Sequence, residues 1–233
     1  PDLIILKYAD PDDQNHDGVS GRANVVGGRV GRFGWKAQAA TLHDIASDED
    51  AGQLGVTNPD VPAESRPQGG PVTCDAVADP EDDGTRVKAA ADFLTLLAPL
   101  PAASQSSEIR LGFRLFRRMK CHTCRSDKQR TGLFATTTLT NRRLKPLYSD
   151  LLLHDLGAAL ADGIAQGAAS GSEFRTAPLW GVGKSAPYLH DGRAATLEEA
   201  IAAYGGEAQK ARDYFATLLP AAQAAALAFL GAL

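Results

Sequence analysis

Cys121-His122-Thr123-Cys124-Arg125 carries two thiols at C-x-x-C spacing, and the residue that follows them decides what they are for. In the haem-attachment signature C-x-x-C-H the two thiols bond to the porphyrin vinyl groups and the next His supplies the iron's proximal nitrogen. Cys121 and Cys124 are spaced for the first task. Arg125 cannot perform the second, because a permanently protonated guanidinium has no lone pair to give a metal. Read alone, the pair admits a redox disulfide, half of a zinc site or a haem attachment point. Zinc lacks a second Cys pair or an H-x-x-x-H, and a thioredoxin-type pair lacks its βαβ context.

Working outward from these cysteines, helical periodicity is clear on the upstream side. Ser107 to Met119 repeats apolar residues at Leu111, Leu115 and Met119 and delivers the chain directly to Cys121. Before it, Asp83 to Leu97 puts Val87, Ala90, Leu94 and Leu97 on one face and stops at Pro99. Downstream, residues 126 to 190 read as loop, with a short helix at Gly157 to Gln166. A loop of that length in a compact domain is usually functional or wrapped around something large, and a haem would serve. Thr196 to Tyr204 is a marked helix: Thr196 and Glu199 form a capping box, Gly205 stands at the stop, and Leu197, Ile201 and Tyr204 share a face, so Tyr204 points inward. Pro220 to Leu230 closes an all-α second half.

The first 80 residues read as an irregular segment, and 57 to 73 as an exposed Pro- and Gly-rich loop, with residues 81 to 233 forming the helical domain. Asp13, Asn15, Asp17 and Gly18 make D-x-N-x-D-G, the opening half of a calcium loop in which the Val19 carbonyl takes the next position. Its twelfth position is Asn24 and not a bidentate Glu, so an Asx-rich surface turn is the competing reading. Gly183-Lys184-Ser185 resembles the tail of a phosphate loop, but Pro178 stands where its leading Gly belongs. His154 and His190 each precede an Asp, which suits a ligand, an acid or base, or a hydrogen-bonded structural residue.

The chain has 233 residues, 44% of them hydrophobic, and a net charge of −4, which fits a globular domain and argues against a nucleic-acid surface. No apolar run reaches the roughly 20 residues needed to span a bilayer. Pro1 followed directly by an apolar stretch reads as the start of a processed or truncated product. Three cysteines leave Cys74 without an obvious partner.

DGVSGRANVVGG, GRFGWKAQ, LLLHDLG, EFRTAPLWGVGKSAPYLHDGRAATLEEAI and YGGEA together resemble the di-haem oxidoreductases, a family also labelled thiol oxidoreductases. That family is related to the bacterial di-haem cytochrome c peroxidases and to the di-haem enzyme that matures tryptophan tryptophylquinone. The resemblance runs from Pro1 to Leu233 and is most specific over residues 173 to 201. It implies an exported or periplasmic, all-α protein of two cytochrome c-like halves, each with one haem c. Only the C-terminal half is expected in this chain, with long haem-wrapping loops and one covalent haem.

By the resemblance, Cys121 and Cys124 are the thioether positions, position 125 is that of the proximal His, and Tyr204, fourteen residues after His190, is the second axial position. Two iron ligands have therefore changed. The implied alternatives are a haem held by both thioethers with Tyr204 or His122 on the iron, or a haem-free structural or electron-carrying subunit. In the family mechanism one haem relays an electron while the other reacts with peroxide. His190, Asp191 and Arg193 are then expected to act at the haem edge and Trp35 as an electron relay, against simple core packing for a lone Trp. A small cytochrome or cupredoxin as donor, and a separate chain carrying the missing haem domain, are the expected partners.

Overall fold

The computed structural model describes residues 1–66, 69–72, 75–98, 100–101, 103, 106–127, 129–130 and 144–233. Cys74 lies outside them, as does part of the loop expected after Cys124. The chain forms two compact units, one of residues 1–38 and 99–233 and one of residues 39–98. The boundary expected near residue 80 falls inside the smaller unit.

In the smaller unit α2 (Leu42–Leu54) packs on α3 (Thr85–Leu96). Thr41 and Asp44 cap α2 reciprocally and Gly55 ends it with a left-handed φ of 68°. Its buried face is Ser47, Asp50 and Ala51, so hydrogen bonds take the place of apolar contact. Ser47 Oγ donates to Asn58 Oδ1 at 2.6 Å, Asn58 Nδ2 returns to Ser47 O at 3.0 Å, and Arg86 pairs with Asp50 at 2.6 Å. Thr57 and Asn58 are thus fully buried, although the sequence places them in an exposed loop. On α3 the buried residues are Val87 and Ala91, while Leu94 and Leu97 of the expected apolar face stay exposed.

The larger unit begins with α1 (Asp2–Leu6) and the ribbon β1 (Val25–Val26) and β2 (Arg29–Val30). After α4 (Ser107–Arg118) come two further ribbons, β3 (Gln129–Arg130) with β4 (Leu144–Lys145) and β5 (Leu153–Asp155) with β6 (Glu173–Arg175). The chain closes with α5 (Leu197–Ala203), α6 (Gln209–Ala216) and α7 (Pro220–Gly231). The architecture is mainly helical, with antiparallel two-stranded ribbons instead of the purely helical second half expected. No helix forms over 157–166: residues 158–160 make a turn, 161–165 are irregular and Gln166 bridges to Ala169. Among the described residues no helix is long and apolar enough to cross a membrane.

The framework of this unit is α4 against α7. Ser106 Oγ accepts the Ile109 N–H at the start of α4, while Arg117 and Arg118 in its last turn complement the helix dipole. Leu115 and Met119 face Ala225 and Ala226, and the Phe116, Phe229 and Tyr148 rings meet edge to face at 5.4 to 6.0 Å. Gly112 sets the helix separation, since a Cβ there would meet the Ala225 carbonyl oxygen and lie 2.6 Å from Phe229 Cβ. Gly112→Ala is expected to cost about 3 kcal/mol by overpacking, visible as a lower urea midpoint at unchanged m-value. A loss below about 0.5 kcal/mol would show that the two helices can separate freely.

Residues 1–38 are stitched to the β5–β6 ribbon. Arg22 bridges to Leu153 in the backbone and pairs with Glu173 at 2.5 Å. Lys36, 2% exposed, donates to Asp162 Oδ1 and Ser170 O, both at 3.0 Å, and its ammonium lies 3.7 Å from the Phe174 ring centroid. This segment is a built part of the larger unit and not loose irregular chain.

Candidate functional site

Beside the last turn of α4 lies a cavity of about 970 Å³, at the upper end of the range for ligand pockets. Lys120, at φ 66°, turns the chain out of α4, and the Cys121 N–H donates to Phe116 O at 3.1 Å. Arg125 N–H returns to Cys121 O at 3.1 Å and Asp150 N–H to Cys124 O at 2.8 Å, which fixes the Cys-x-x-Cys turn on the cavity wall. Both cysteines are free and partly buried. Burial pushes the Cys121 thiol up to about 11. A neutral thiol at pH 7 is the opposite of the activated thiolate that a thioredoxin-type pair requires.

Arg125 is partly buried on the cavity wall. Its Nη1 donates to Ala177 O at 2.9 Å and its Nη2 to Tyr204 Oη at 3.0 Å. Burial works against its charge, but the Tyr204 oxygen and the two sulfurs raise its pKa further. Tyr204 caps α5 and its carbonyl accepts from Arg212 at 2.9 Å, so its ring enters the cavity as the helical spacing predicts. His122 also lines the cavity; its Nδ1 is buried without a hydrogen-bond partner, and burial with Arg117 and Lys120 nearby lowers its pKa.

The sequence singles out His190, Asp191 and Arg193 together; the structure keeps Asp191 Oδ2 4.0 Å from His190 Nε2 but puts only His190 on the cavity wall. His190 lines the cavity, stacked on Phe174 at 4.2 Å between centroids and edge-on to Trp35 at 6.4 Å. Asp191 and Arg193 turn away from the cavity and pair with each other at 2.5 Å. Trp35 is 49% exposed and borders the cavity, which is not a core packing position.

Sequence reasoning missed the network behind Cys124. The β5–β6 register sets His154 opposite Phe174. His154 is 3% exposed; its Nε2 bonds Asp150 Oδ2 at 2.9 Å and its Nδ1 bonds Glu207 Oε2 at 2.6 Å, with Cys124 Sγ at 3.5 Å. Burial alone would lower the imidazole's pKa, but the hydrogen bonds to Asp150, Cys124 and Glu207 push it up to about 12. A doubly bonded imidazolium is therefore held beside the sulfur. The HD and GGEA fragments were the available signal for His154 and Glu207, but their pairing across 53 residues carries no local mark.

The Asp13–Val19 stretch is a set of Asx turns. Asp13 accepts from Gly18 N–H at 3.1 Å, Asn15 from Asp17 N–H at 2.9 Å, and Asp17 from Val19 N–H at 2.9 Å. Its carboxylates are thus engaged by the chain itself.

The residues present fit a porphyrin. Two free thiols stand on the wall of a cavity of suitable size, and the orphaned His122 Nδ1 and the Tyr204 hydroxyl offer nitrogen and oxygen donors. Position 125 is the departure. No curated protein matches the chain. Among solved structures it is similar to a MauG-like protein associated with microbial copper homeostasis, with a TM-score of 0.53 and 18% identity over 93% of this chain and 73% of that one. The model of the family described as "Di-haem oxidoreductase, putative peroxidase" matches residues 1–233, end to end. With that match over the whole of its length, the chain belongs to the di-haem oxidoreductase family.

Proposed function

We propose that this chain holds one covalent haem c in the cavity and serves as the electron-storing domain of a peroxidase-type di-haem oxidoreductase. The observation that carries the reading is the pair of free thiols on the wall of a cavity of about 970 Å³ in a chain matched throughout by that family. The haem supplies one-electron redox chemistry, and the protein tunes it through ligands, hydrogen bonds and burial. Cys121 and Cys124 would attach the porphyrin, and Tyr204 or His122 would give the iron its protein ligand. A phenolate ligand favours ferric iron and lowers the potential.

The other residues prepare the site. The His154 imidazolium, fixed by Asp150 and Glu207, donates toward the Cys124 sulfur and holds a positive charge beside the attachment point. Trp35, His190 and Phe174 form a continuous ring-to-ring path from the surface to the cavity and are the proposed electron relay. Electrons would come from a small cytochrome or cupredoxin, and a second haem, carried by another domain or chain, would supply the chemistry that reduces one hydrogen peroxide with two electrons and two protons to two waters. The reading carries with it a periplasmic or otherwise exported location.

Tyr204→Phe tests the ligand assignment. If Tyr204 binds the iron, the visible spectrum of the ferric protein shifts in the variant. An unchanged spectrum would remove Tyr204 and leave His122.

A further inference from the structure

Arg125 stands where the family places the first iron ligand, and its surroundings give it a different task. A guanidinium has five N–H donors. Two of Arg125's are bonded, to Ala177 O and to Tyr204 Oη. Among the described residues no carboxylate forms an ion pair with it. A partly buried guanidinium with free donors and no carboxylate partner can donate charge-assisted hydrogen bonds to an anion from outside the chain.

The rest of the cavity wall agrees. Its charged lining includes Arg118, Lys120, Arg175, Lys210 and Arg212 as well as Arg125, against Asp17 and Glu207. That excess of cations stands in a chain whose net charge is −4. Arg175 is likewise bonded to carbonyl oxygens alone, Gly34 O at 2.8 Å and Thr176 O at 3.4 Å, and burial pushes its pKa down to about 10, so it remains a cation at neutral pH. Glu207 is already committed to the His154 imidazolium. The field inside the cavity therefore favours negative charge.

We propose that Arg125 is an anion receptor that binds a small monovalent anion of the azide or fluoride class at the point in the cavity where its guanidinium faces Tyr204. Substituting Arg for the proximal ligand thus exchanges an iron-binding position for an anion-binding one. The binding of an anion by Arg125 stands whether or not the haem reading holds.

Azide is the probe, and two measurements separate the outcomes. Thermal unfolding of the purified protein is followed with increasing sodium azide at constant ionic strength, whether or not the preparation carries haem. The midpoint of the unmodified chain is expected to rise with azide, by the mass-action stabilisation of the folded state. Arg125→Met should abolish the rise, and Arg125→Lys should keep part of it, since Lys retains the charge without the planar fork. In a haem-containing preparation, azide titrated against the Soret band should bind about tenfold or more weakly to the Arg125→Met protein. No rise with the unmodified chain, or an equal rise or equal affinity in Arg125→Met, overturns the proposal. Loss of the haem reading would show separately, as a colourless protein, with the thermal result still deciding the role of Arg125.

Discussion

His154→Gln is expected to lower the stability of the fold by about 3 kcal/mol or more, because it leaves the buried Asp150 and Glu207 carboxylates without their shared cation. The loss should depend on pH in a defined direction. Burial of His154 opposes its charge, but its bonds to Asp150, Cys124 and Glu207 carry its pKa to about 12, against about 6.5 in the unfolded chain. A pKa raised on folding contributes stability that is complete below the unfolded value and is lost as pH rises through the folded one. The unmodified protein should therefore lose stability between about pH 7 and pH 10, by up to about 1.4 kcal/mol per pH unit from this group. Urea unfolding across that window reads the slope, and His154→Gln should flatten it. An equal slope in the two proteins would mean that His154 is neutral when folded, and the proposed charge beside Cys124 would go with it.

The second large effect is expected at position 125. Arg125→His would replace a group that cannot bind metal with an imidazole next to the attachment cysteines. In a haem-containing protein the variant should move the ferric and ferrous spectra to the pattern of a nitrogen-ligated c-type haem. It should also lose the azide response described for Arg125, since both the guanidinium and the ligand position it leaves open are gone. Spectra identical to those of the unmodified protein would show that residue 125 does not face the iron. Tyr204 should respond in the same experiment, because the 3.0 Å bond from Arg125 Nη2 to its hydroxyl disappears.

The parts of the fold that were legible in the sequence are those whose signals are local. Thr196 with Glu199 and Pro220 at the start of α7 mark helix ends by capping chemistry, the spacing of Leu111, Leu115 and Met119 marks α4, and the structure sets these helices within one or two residues of the expected positions. Tyr204 and the cysteine turn could be directed at one cavity for the same reason. Helix α2 escaped because its buried face is Ser47, Asp50 and Ala51, which leaves no apolar period to find; the Thr41–Asp44 box and Gly55 were its only marks. Residues 157–166 have a helix-like run of Ala and Leu, but Gly157 and Gly163 take positive φ and interrupt it.

Much of the site is built by pairing between distant segments, which periodicity does not reveal. The β5–β6 ribbon brings His154 to Phe174, and the turn after α5 brings Glu207 to His154. Asp191 and Arg193 show the reverse: proximity to His190 in the chain did not carry them into the cavity, because they close a surface ion pair at 2.5 Å. Lys36, which a sequence would assign to solvent, is held at 2% exposure by Asp162 and two carbonyls and so fixes Phe174 on the relay path.

The central claim is that the thiols of Cys121 and Cys124 hold a haem despite Arg125, and the most direct test is a pyridine haemochrome assay combined with the intact mass of the purified protein. A c-type haemochrome spectrum with a mass increase of one haem is the result expected. A colourless protein of unmodified mass, produced where haem and its attachment machinery are available, would contradict the claim and leave a haem-free member of the family with a cation-lined cavity.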